Sequence, residues 1–303
     1  MDSAMDIFTK ATVEAEQLWL IENVDKDGYS CRGCSSKAIP CSYQPHNKVR
    51  PYFKVIGDHH SECDVDGEEK LVGKGKKERV SNVKGEFPIP YPSKLVLRDY
   101  RPISDPEFIL DGQPSEDSNN SRGHSSVRQN DSARGREANT IRPICRSFIN
   151  FPYDRDLSLN VPGIETNTYL TIFKKLNWGD LQRYPEQKLF YSAIRWNKAV
   201  ETEEYLEVLL DAGIREDGKL KNGHKIHIEW SAWSKAKRTF VKNDLETSRL
   251  EGIAEFEKKS KKKAYLFFIG QQDIIDISLF HVTDHRLVCC IVEEITYPKF
   301  STK

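Results

Sequence analysis

Two short cysteine-bearing runs in the first third of the chain decide how the N-terminal part can fold. The first is Tyr29-Ser30-Cys31-Arg32-Gly33-Cys34, and the second is Gly57-Asp58-His59-His60-Ser61-Glu62-Cys63. The first contains a Cys-x2-Cys knuckle, in which Gly33 lets the backbone turn so that both sulfur atoms face one point. The second offers a histidine and a cysteine. Two close pairs on separate turns are the ligand arrangement of a closed tetrahedral zinc site.

The expected ligands are therefore Cys31, Cys34, Cys63 and one of His59 or His60, with Cys41 as the rival fourth ligand and His46 as a weaker one. Four ligands leave no open position for a water molecule, so we expect the zinc to be structural rather than catalytic. The competing explanations are a disulfide framework and free thiols that lie near histidines by chance. The N-terminus lacks a basic segment followed by an apolar stretch, which argues against secretion and hence against disulfides.

These motifs resemble the zinc-finger module at the start of competence-protein CoiA-like bacterial proteins. The resemblance covers roughly residues 8–66 and rests on residues 18–24, the knuckle at 31–34, residues 50–53 and residues 57–63. In that family a short aromatic strand often ends in His-Phe-x-His, whereas Tyr52-Phe53-Lys54-Val55 lacks those histidines. His59 or His60 would take their place here. The resemblance implies a bacterial cytoplasmic protein linked to DNA uptake, mobile elements or phage defence, often with a nuclease domain, although none aligns here.

Composition excludes several classes of protein. The chain has 303 residues, with 46 basic and 46 acidic side chains and no formal net charge. This balance argues against a polycationic coat protein for nucleic acids, although it allows a local basic patch. No run of about 18 apolar residues occurs, which excludes a membrane-spanning helix. We therefore expect a cytoplasmic protein.

A polar segment divides the chain. No aromatic residue occurs from position 109 to position 147, and the centre of this stretch is rich in Ser, Asn, Gly and Arg. Such a segment buries too little apolar surface to offset the entropy of ordering it. We predict a flexible linker at residues 111–142, between a zinc-finger module with a basic extension at 1–110 and an α+β domain at 143–303. The alternative is a long surface loop within one domain.

Basic residues are concentrated in two stretches. Residues 70–84 carry six basic side chains and one acidic one, directly after the acidic stretch 58–69. We interpret Lys74, Lys76 and Lys77 as a flexible arm that contacts phosphate; the alternative is a solvated loop. Residues 258–263 contain five lysines. With Arg195 and three tryptophans they would suit single-stranded nucleic acid, although Trp196, Trp230 and Trp233 fit a core equally well.

The C-terminal part is predicted to mix strands and helices. Strands are expected at 147–151, 157–161, 189–196, 225–230, 265–269, 275–282 and 286–292, and helices at 166–176, 201–212 and 241–256. The clearest predicted helix is 201–212, because acidic residues suit its start and Gly213 suits its end. His281 and His285 flank the last turn and are metal-ligand candidates, although a turn or surface role is the simpler interpretation.

A catalytic site is weakly indicated. A restriction-type nuclease needs an acidic residue and then Glu-x-Lys on the next strand, so that carboxylates hold Mg²⁺ and the lysine polarises water. Asp217 and Glu229 have a suitable spacing, but Ser231 stands where the lysine belongs. The leading hypothesis is a zinc-finger protein that binds nucleic acid or docks to a nucleic-acid-processing complex. The alternatives are a metal-dependent nuclease that uses Asp217 and Glu229, and a protein-binding adaptor.

Overall fold

The computed structural model describes residues 1–44, 47, 49–61, 63–81, 87, 91–97 and 137–298. The described residues form helices and strands in several sheets, which confirms the predicted α+β class. Residues 111–136 of the predicted linker lie outside the described residues.

The N-terminal part is a five-stranded antiparallel sheet. Its strands are β1 (Ser3–Asp6), β2 (Thr12–Glu14), β3 (Tyr29–Ser30), β4 (Lys37–Cys41) and β5 (Tyr52–Val55), in the order β2-β1-β3-β4-β5. A 3-10 helix (Ala15–Leu20) follows β2, and helix α1 (Asp64–Gly75) follows β5. The sheet's own core is small and consists of Ala4, Ala15, Leu18, Tyr29, Ala38 and Phe53. A core of this size supplies little hydrophobic stabilisation, so further cross-links matter more.

Helix α1 corrects the prediction of a flexible basic arm. Lys74 lies in the last turn of α1, Lys76 caps its C-terminus, and Lys77 follows. The acidic stretch covers the start of the helix and the basic stretch covers its end, which is the charge order that a helix dipole favours. The segregation of charge over residues 64–77 therefore reflects one helix and the residues that end it rather than a loop.

The C-terminal part contains two sheets. The larger one has the strands β10 (Val200–Glu201), β11 (Tyr205–Glu216), β12 (Lys219–Glu229), β14 (Gln271–Gln272) and β15 (Leu279–Val282), in the order β10-β11-β12-β15-β14. The smaller one has β8 (Phe173–Lys175), β9 (Leu189–Ala193), β13 (Lys263–Ile269) and β16 (Val288–Glu293), in the order β16-β13-β9-β8. The helices are α2 (Ile141–Asn150), α3 (Tyr169–Ile172) and α4 (Lys235–Glu257).

Both faces of the four-stranded sheet are buried. Phe190 and Phe268 point to the core shared with the larger sheet and α4, whereas Tyr191 and Phe267 point to the core shared with α2. Strands buried on both faces are near-continuous apolar runs, which is why the predictions for β9 and β13 are correct. The long charged helix is also found, as α4.

Several predicted elements differ from the structure. The predicted strand 157–161 forms only isolated bridges, and the predicted helix 166–176 is the short helix α3 followed by strand β8. Two further elements have the wrong type. The predicted helix 201–212 is largely strand β11, in which Leu206, Val208, Leu210 and Ala212 alternate into the core and the backbone pairs with β12. Gly213 does not end a helix. It has φ +125° inside the strand, and a Cβ there would lie 2.3 Å from the Asn222 carbonyl oxygen. The local pattern of apolar residues fits the period of a helix as well as that of a strand, and pairing with β12 determines that the segment is a strand.

The predicted strand 147–151 is instead the end of α2. The buried residues of α2 include Ile141, Ile144, Cys145 and Phe148, which is a helical spacing that becomes visible only when the pattern is followed from position 141. The last residues of the predicted linker are thus folded. The short strand β7 (Glu137–Ala138) lies directly before α2 and pairs in parallel with β6 (Lys94–Leu95).

The N-terminal sheet packs directly on the C-terminal part. Trp19 joins the core around Trp230. Next to it lies a buried group of charges, named the ion network here, which consists of Glu16, Arg50, Arg142 and Asp244. Arg142 lies 2.5 Å from Asp244 and 3.3 Å from Glu16, and Arg50 lies 2.9 Å from Asp244. Among the described residues no helix is long and apolar enough to cross a membrane.

Candidate metal centre

The first ligand pair lies in the tight connection between β3 and β4. The Cys31 N–H donates to the Ser36 carbonyl at 2.7 Å, and the Ser35 N–H donates back to the Cys31 carbonyl at 2.9 Å. Ser35 has φ +58°, so this loop reverses within a few residues. Gly33 brings the knuckle close to its partner segment, because a Cβ there would lie only 3.1 Å from the Cys63 Sγ.

The second pair lies between β5 and α1. Gly57 turns the chain after β5 with φ +79°, and Cys63 is the residue that precedes the first turn of α1. The Cys63 N–H donates to the His60 carbonyl at 2.9 Å, which closes a turn that runs from His60 to Cys63. The cluster therefore connects a strand loop to a helix start.

Cys31, Cys34, His59 and Cys63 form one group, named the metal cluster here, in which all four ligand atoms lie within 4.8 Å of one another. The His59 Nδ1 lies 3.5 Å from the Cys31 Sγ, 3.4 Å from the Cys34 Sγ and 3.2 Å from the Cys63 Sγ. The Sγ atoms of Cys31 and Cys63 are 3.7 Å apart. The group can hold a metal ion.

The geometry decides between the rival fourth ligands. His59 joins the three cysteines, while His60 contributes its backbone carbonyl to the turn. Cys41 lies on β4, and its Sγ is 3.7 Å from the Ile39 carbonyl oxygen. His46 lies outside the described residues.

The two knuckle thiols have opposite pKa shifts. Burial raises the pKa of Cys31 to about 11, despite hydrogen bonds from backbone N–H groups. Burial also favours a higher pKa for Cys34, but hydrogen bonds from Ser36 and from the backbone at His60 outweigh this effect and lower the pKa to about 5. The Ser36 Oγ lies 3.2 Å from the Cys34 Sγ. Part of the site is therefore already arranged to favour a thiolate, which is the form that binds metal.

Comparisons with protein-family models, with curated proteins and with solved structures give no match to this chain. The resemblance to the CoiA-like module stays a prediction. Any proposal for function therefore depends on the residues themselves.

The proposed nuclease pair does not converge. Asp217 occupies the turn between β11 and β12, with φ +50°, and Glu229 is the last residue of β12. A strand rises about 3.3 Å per residue, so the two carboxylates are separated by roughly 30 Å. They cannot share one Mg²⁺ ion, and the nuclease alternative with these residues is wrong.

Glu229 instead contacts a histidine. The His281 Nδ1 lies 2.7 Å from the Glu229 Oε1, and the His281 Nε2 lies 3.2 Å from the Asp273 Oδ2. Both ring nitrogens of His281 therefore already have carboxylate partners. His285 contacts Asp284, at 3.3 Å. The two histidines do not form a joint metal site.

The two lysine stretches, unlike the nuclease pair, lie close together. Lys76 at the end of α1 and Lys262 before β13 both bind Glu293, at 3.0 Å and 2.7 Å. Lys74 has a longer contact of 3.7 Å with Glu78. No local pattern in the sequence signals this convergence, because it depends on the packing of α1 against α2, after which Lys76 reaches Glu293 at the end of β16.

The tryptophans divide between core and surface. Trp230 is buried at 1% exposure, whereas Trp196 is 51% exposed. Trp196 contacts Phe256, itself 61% exposed, with ring centroids 4.6 Å apart. Phe256 lies in the last turn of α4, directly before the lysines of residues 258–263. Trp196 is therefore available for the predicted aromatic and basic surface, whereas the buried Trp230 is not. Phe256 is an additional exposed aromatic residue next to Trp196.

Proposed function

We propose that this chain is a zinc-binding protein in which the ion is structural and which uses a neighbouring basic surface to bind single-stranded nucleic acid. The metal cluster supports the first half of this proposal, and the lysines at 258–263 next to the exposed Trp196–Phe256 pair support the second.

Zinc is the metal that fits the cluster's distances and chemistry. Tetrahedral coordination with the usual Zn–S and Zn–N lengths places two sulfur atoms about 3.8 Å apart and a sulfur and a nitrogen about 3.6 Å apart. Here the Cys31 and Cys63 sulfur atoms are 3.7 Å apart, the His59 Nδ1 lies 3.2–3.5 Å from the three sulfur atoms, and all four ligand atoms lie within 4.8 Å of one another. Three thiolates and one imidazole are soft donors that favour zinc over Mg²⁺ or Ca²⁺.

The role of the ion depends on the segments that it joins. One pair of ligands belongs to the β3–β4 connection and the other precedes α1, so the ion fastens the helix to a sheet whose own core is small. Four protein ligands fill a tetrahedral site and leave no position for a reacting water. The ion would therefore stabilise the fold and hold α1, with its lysines, in place.

The nucleic-acid surface, named the basic-aromatic surface here, runs from the loop after β9 to the start of β13. It comprises Arg195, Trp196, Phe256 and the lysines at 258, 259, 261 and 262. Strand β9 pairs with β13, so the loop at 194–199 and the lysine-rich connection lie side by side. Lys261 is 83% exposed and Lys258 is 69% exposed at their side chains. Exposed rings stack on bases while lysines neutralise phosphates, which is how sequence-tolerant single-strand binding works.

Salt-dependent binding of a fluorescent single-stranded oligonucleotide tests this proposal. Replacing Lys258, Lys259 and Lys261 with Glu is expected to weaken binding at least tenfold and to flatten its salt dependence, because each phosphate contact contributes about 0.7 to the slope for single strands. The control replaces Lys219 and Lys221 with Glu at the remote β11–β12 turn and is expected to leave binding unchanged.

Trp196→Ala tests the aromatic half of the surface. Loss of one stacked base is worth about 1–3 kcal/mol, so affinity should fall about 5- to 150-fold. Trp178→Ala is the matched control, because Trp178 is 58% exposed but lies against Arg215 elsewhere. Absence of salt-dependent binding in the wild type would reject nucleic acid as the ligand and favour the protein-binding adaptor. The link to phage defence or mobile elements rests on the resemblance alone.

A further inference from the structure

A cavity that shares no residue with the metal cluster or the basic-aromatic surface lies beside a buried arginine. Arg155 follows a 3-10 helix (Pro152–Asp154) and is only 5% exposed. Its Nε donates to the Phe148 carbonyl at 3.0 Å, and its guanidinium lies 3.8 Å from the centre of the Phe148 ring. Its Nη2 is buried and has no hydrogen-bond partner among the described residues.

The Arg155 guanidinium has no ion pair. Among the described residues no carboxylate lies within ion-pair distance of it, while Arg142, which is also buried, and the partly buried Arg50 each contact Asp244 and Glu16. Burial lowers the pKa of Arg155 from its ordinary value, but an arginine remains charged at neutral pH. A buried cation without a counter-charge lowers the stability of the fold, and binding of an anion beside it removes this cost.

Arg155 lines a cavity of about 210 Å³ whose other walls are mostly apolar. The remaining lining residues are Arg79, Pro152, Tyr153, Asp156, Leu170, Tyr297 and Pro298. Arg79 lies 2.9 Å from Asp156 and 3.6 Å from Asp154, whose buried carboxylate also accepts from the Val80 and Ser81 N–H groups. These carboxylates are thus engaged elsewhere, and the Arg155 guanidinium is the group left to contact a ligand. A cavity of about 150 Å³ accommodates benzene, so this one has room for a ring with a small substituent.

We propose that this cavity binds a small monocarboxylate with an apolar or aromatic body. The carboxylate would pair with Arg155, and the body would pack against Leu170, Pro298 and the two tyrosines. A carboxylate fits better than a phosphate, because the one guanidinium without an ion pair matches a monoanion and the apolar walls would leave the other phosphate oxygens without partners.

This inference is tested by titrating the full-length protein with benzoate, benzamide and inorganic phosphate. Binding is measured by calorimetry or by ligand-observed NMR. Benzoate is expected to bind with a dissociation constant on the order of 1 mM or lower. Benzamide, which has the same shape without the charge, should bind at least tenfold more weakly. Equal binding of benzoate and benzamide, no benzoate binding, or tighter binding of phosphate would each overturn the proposal.

Variants locate the site. Arg155→Met keeps the length of the side chain and removes its charge, and it should weaken benzoate binding at least tenfold. Arg183→Met is the control, because Arg183 is an exposed arginine that binds the backbone at Asp273 and Ile274. Leu170→Glu is a second test that spares the buried arginine: Leu170 is 60% exposed, and a carboxylate there should repel benzoate. Undiminished binding in either cavity variant would contradict the assignment.

Discussion

The metal cluster and the ion network both gather polar groups from distant parts of the chain, but only the ion network contains its own counter-charges. In the ion network, Arg142 and Arg50 lie against Glu16 and Asp244, so each charge has a partner of opposite sign. In the metal cluster, three thiols and one imidazole face one another, and thiolates need a positive charge to balance them. The ion network is therefore complete as folded, whereas the metal cluster could hold an added ion.

The two clusters also act at different places. The ion network fixes the N-terminal sheet against α4 and α2, together with Trp19. The metal cluster acts inside the N-terminal part, between the β3–β4 connection and α1. Loss of the metal should therefore loosen the N-terminal part locally, whereas loss of an ion-network residue should weaken its attachment to the C-terminal part.

Removal of the metal is expected to have the largest effect. Structural zinc contributes an apparent free energy of about 10–16 kcal/mol in small zinc modules. A strong chelator, or Cys63→Ser, should therefore increase hydrogen exchange across β3, β4 and α1 while β9 and β13 stay protected. Cys41→Ser is the matched control, because Cys41 lies outside the cluster, and it should leave exchange unchanged. Equal exchange with and without chelator would contradict a structural role.

Removal of one member of the ion network is expected to have the second-largest effect on stability. Arg142→Met leaves Asp244 and Glu16 buried with fewer counter-charges, and breaking a buried pair costs about 3–5 kcal/mol. Urea unfolding measures this change. Lys242→Met is the control, because its pair with Glu201 is exposed and should contribute about 1 kcal/mol or less. A loss in Arg142→Met as small as in the control would show that the network does not hold the two parts together.

Two neighbouring glutamates should give opposite pH dependence. Burial favours a higher pKa for Glu16, but the charges of Arg142, Arg146 and Arg50 outweigh this effect and lower the pKa of Glu16 to about 2. Its ionised form therefore stabilises the fold above about pH 4.5, and this stability is lost as the pH falls towards 2. Burial raises the pKa of Glu14 to about 7, so its ionisation removes stability as the pH rises from about 4.5 through 7.

The variants Glu16→Gln and Glu14→Gln separate these contributions. At pH 8, Glu14→Gln should be more stable than the wild type by an amount on the order of 2 kcal/mol, and this gain should vanish near pH 4.5. Glu16→Gln should be less stable at pH 8. Urea unfolding at several pH values provides the measurement. Shifts of the same sign in both variants would contradict the assignment of opposite environments.

The smallest expected effect concerns a glycine in the knuckle. A Cβ at Gly33 would crowd the Cys63 Sγ and two atoms of Val65, all at 3.1 Å. Gly33→Ala should therefore weaken metal binding about tenfold without removing a ligand, as measured by competition with a chromogenic chelator. Gly73→Ala in α1 has open space around it and should leave affinity unchanged while it stabilises the helix by about 0.5–1 kcal/mol. An unchanged affinity for metal in Gly33→Ala would show that the knuckle can accommodate a Cβ despite these short distances.

The metal cluster was largely predictable, because ligand type and short-range spacing determine most of it. Cys31, Cys34 and Cys63 can be identified from the sequence, but the choice of His59 over His60 depends on the turn before α1. The long hairpin was not predictable in the same way. The spacing of Tyr205, Leu206, Leu209 and Leu210 fits a helix as well as a strand, and only pairing with β12 decides.

Features formed by long-range contacts left no signal in the sequence. Arg142 lay in a polar stretch that suggested a linker, yet it is 3% exposed and its partners are Glu16 and Asp244. The convergence of Lys76 and Lys262 on Glu293 and the isolation of Arg155 likewise depend on tertiary packing. A local pattern cannot encode a partner that lies more than a hundred residues away.

Metal content tests the central claim most directly. Elemental analysis of the untagged wild type is expected to give about one zinc per chain, with the ion lost in Cys31→Ser and His59→Ala. Cys41→Ser and His60→Ala, which replace the rival ligands, should retain it. A folded wild type that contains no zinc, or retention of zinc by His59→Ala together with its loss in His60→Ala, would contradict this metal centre.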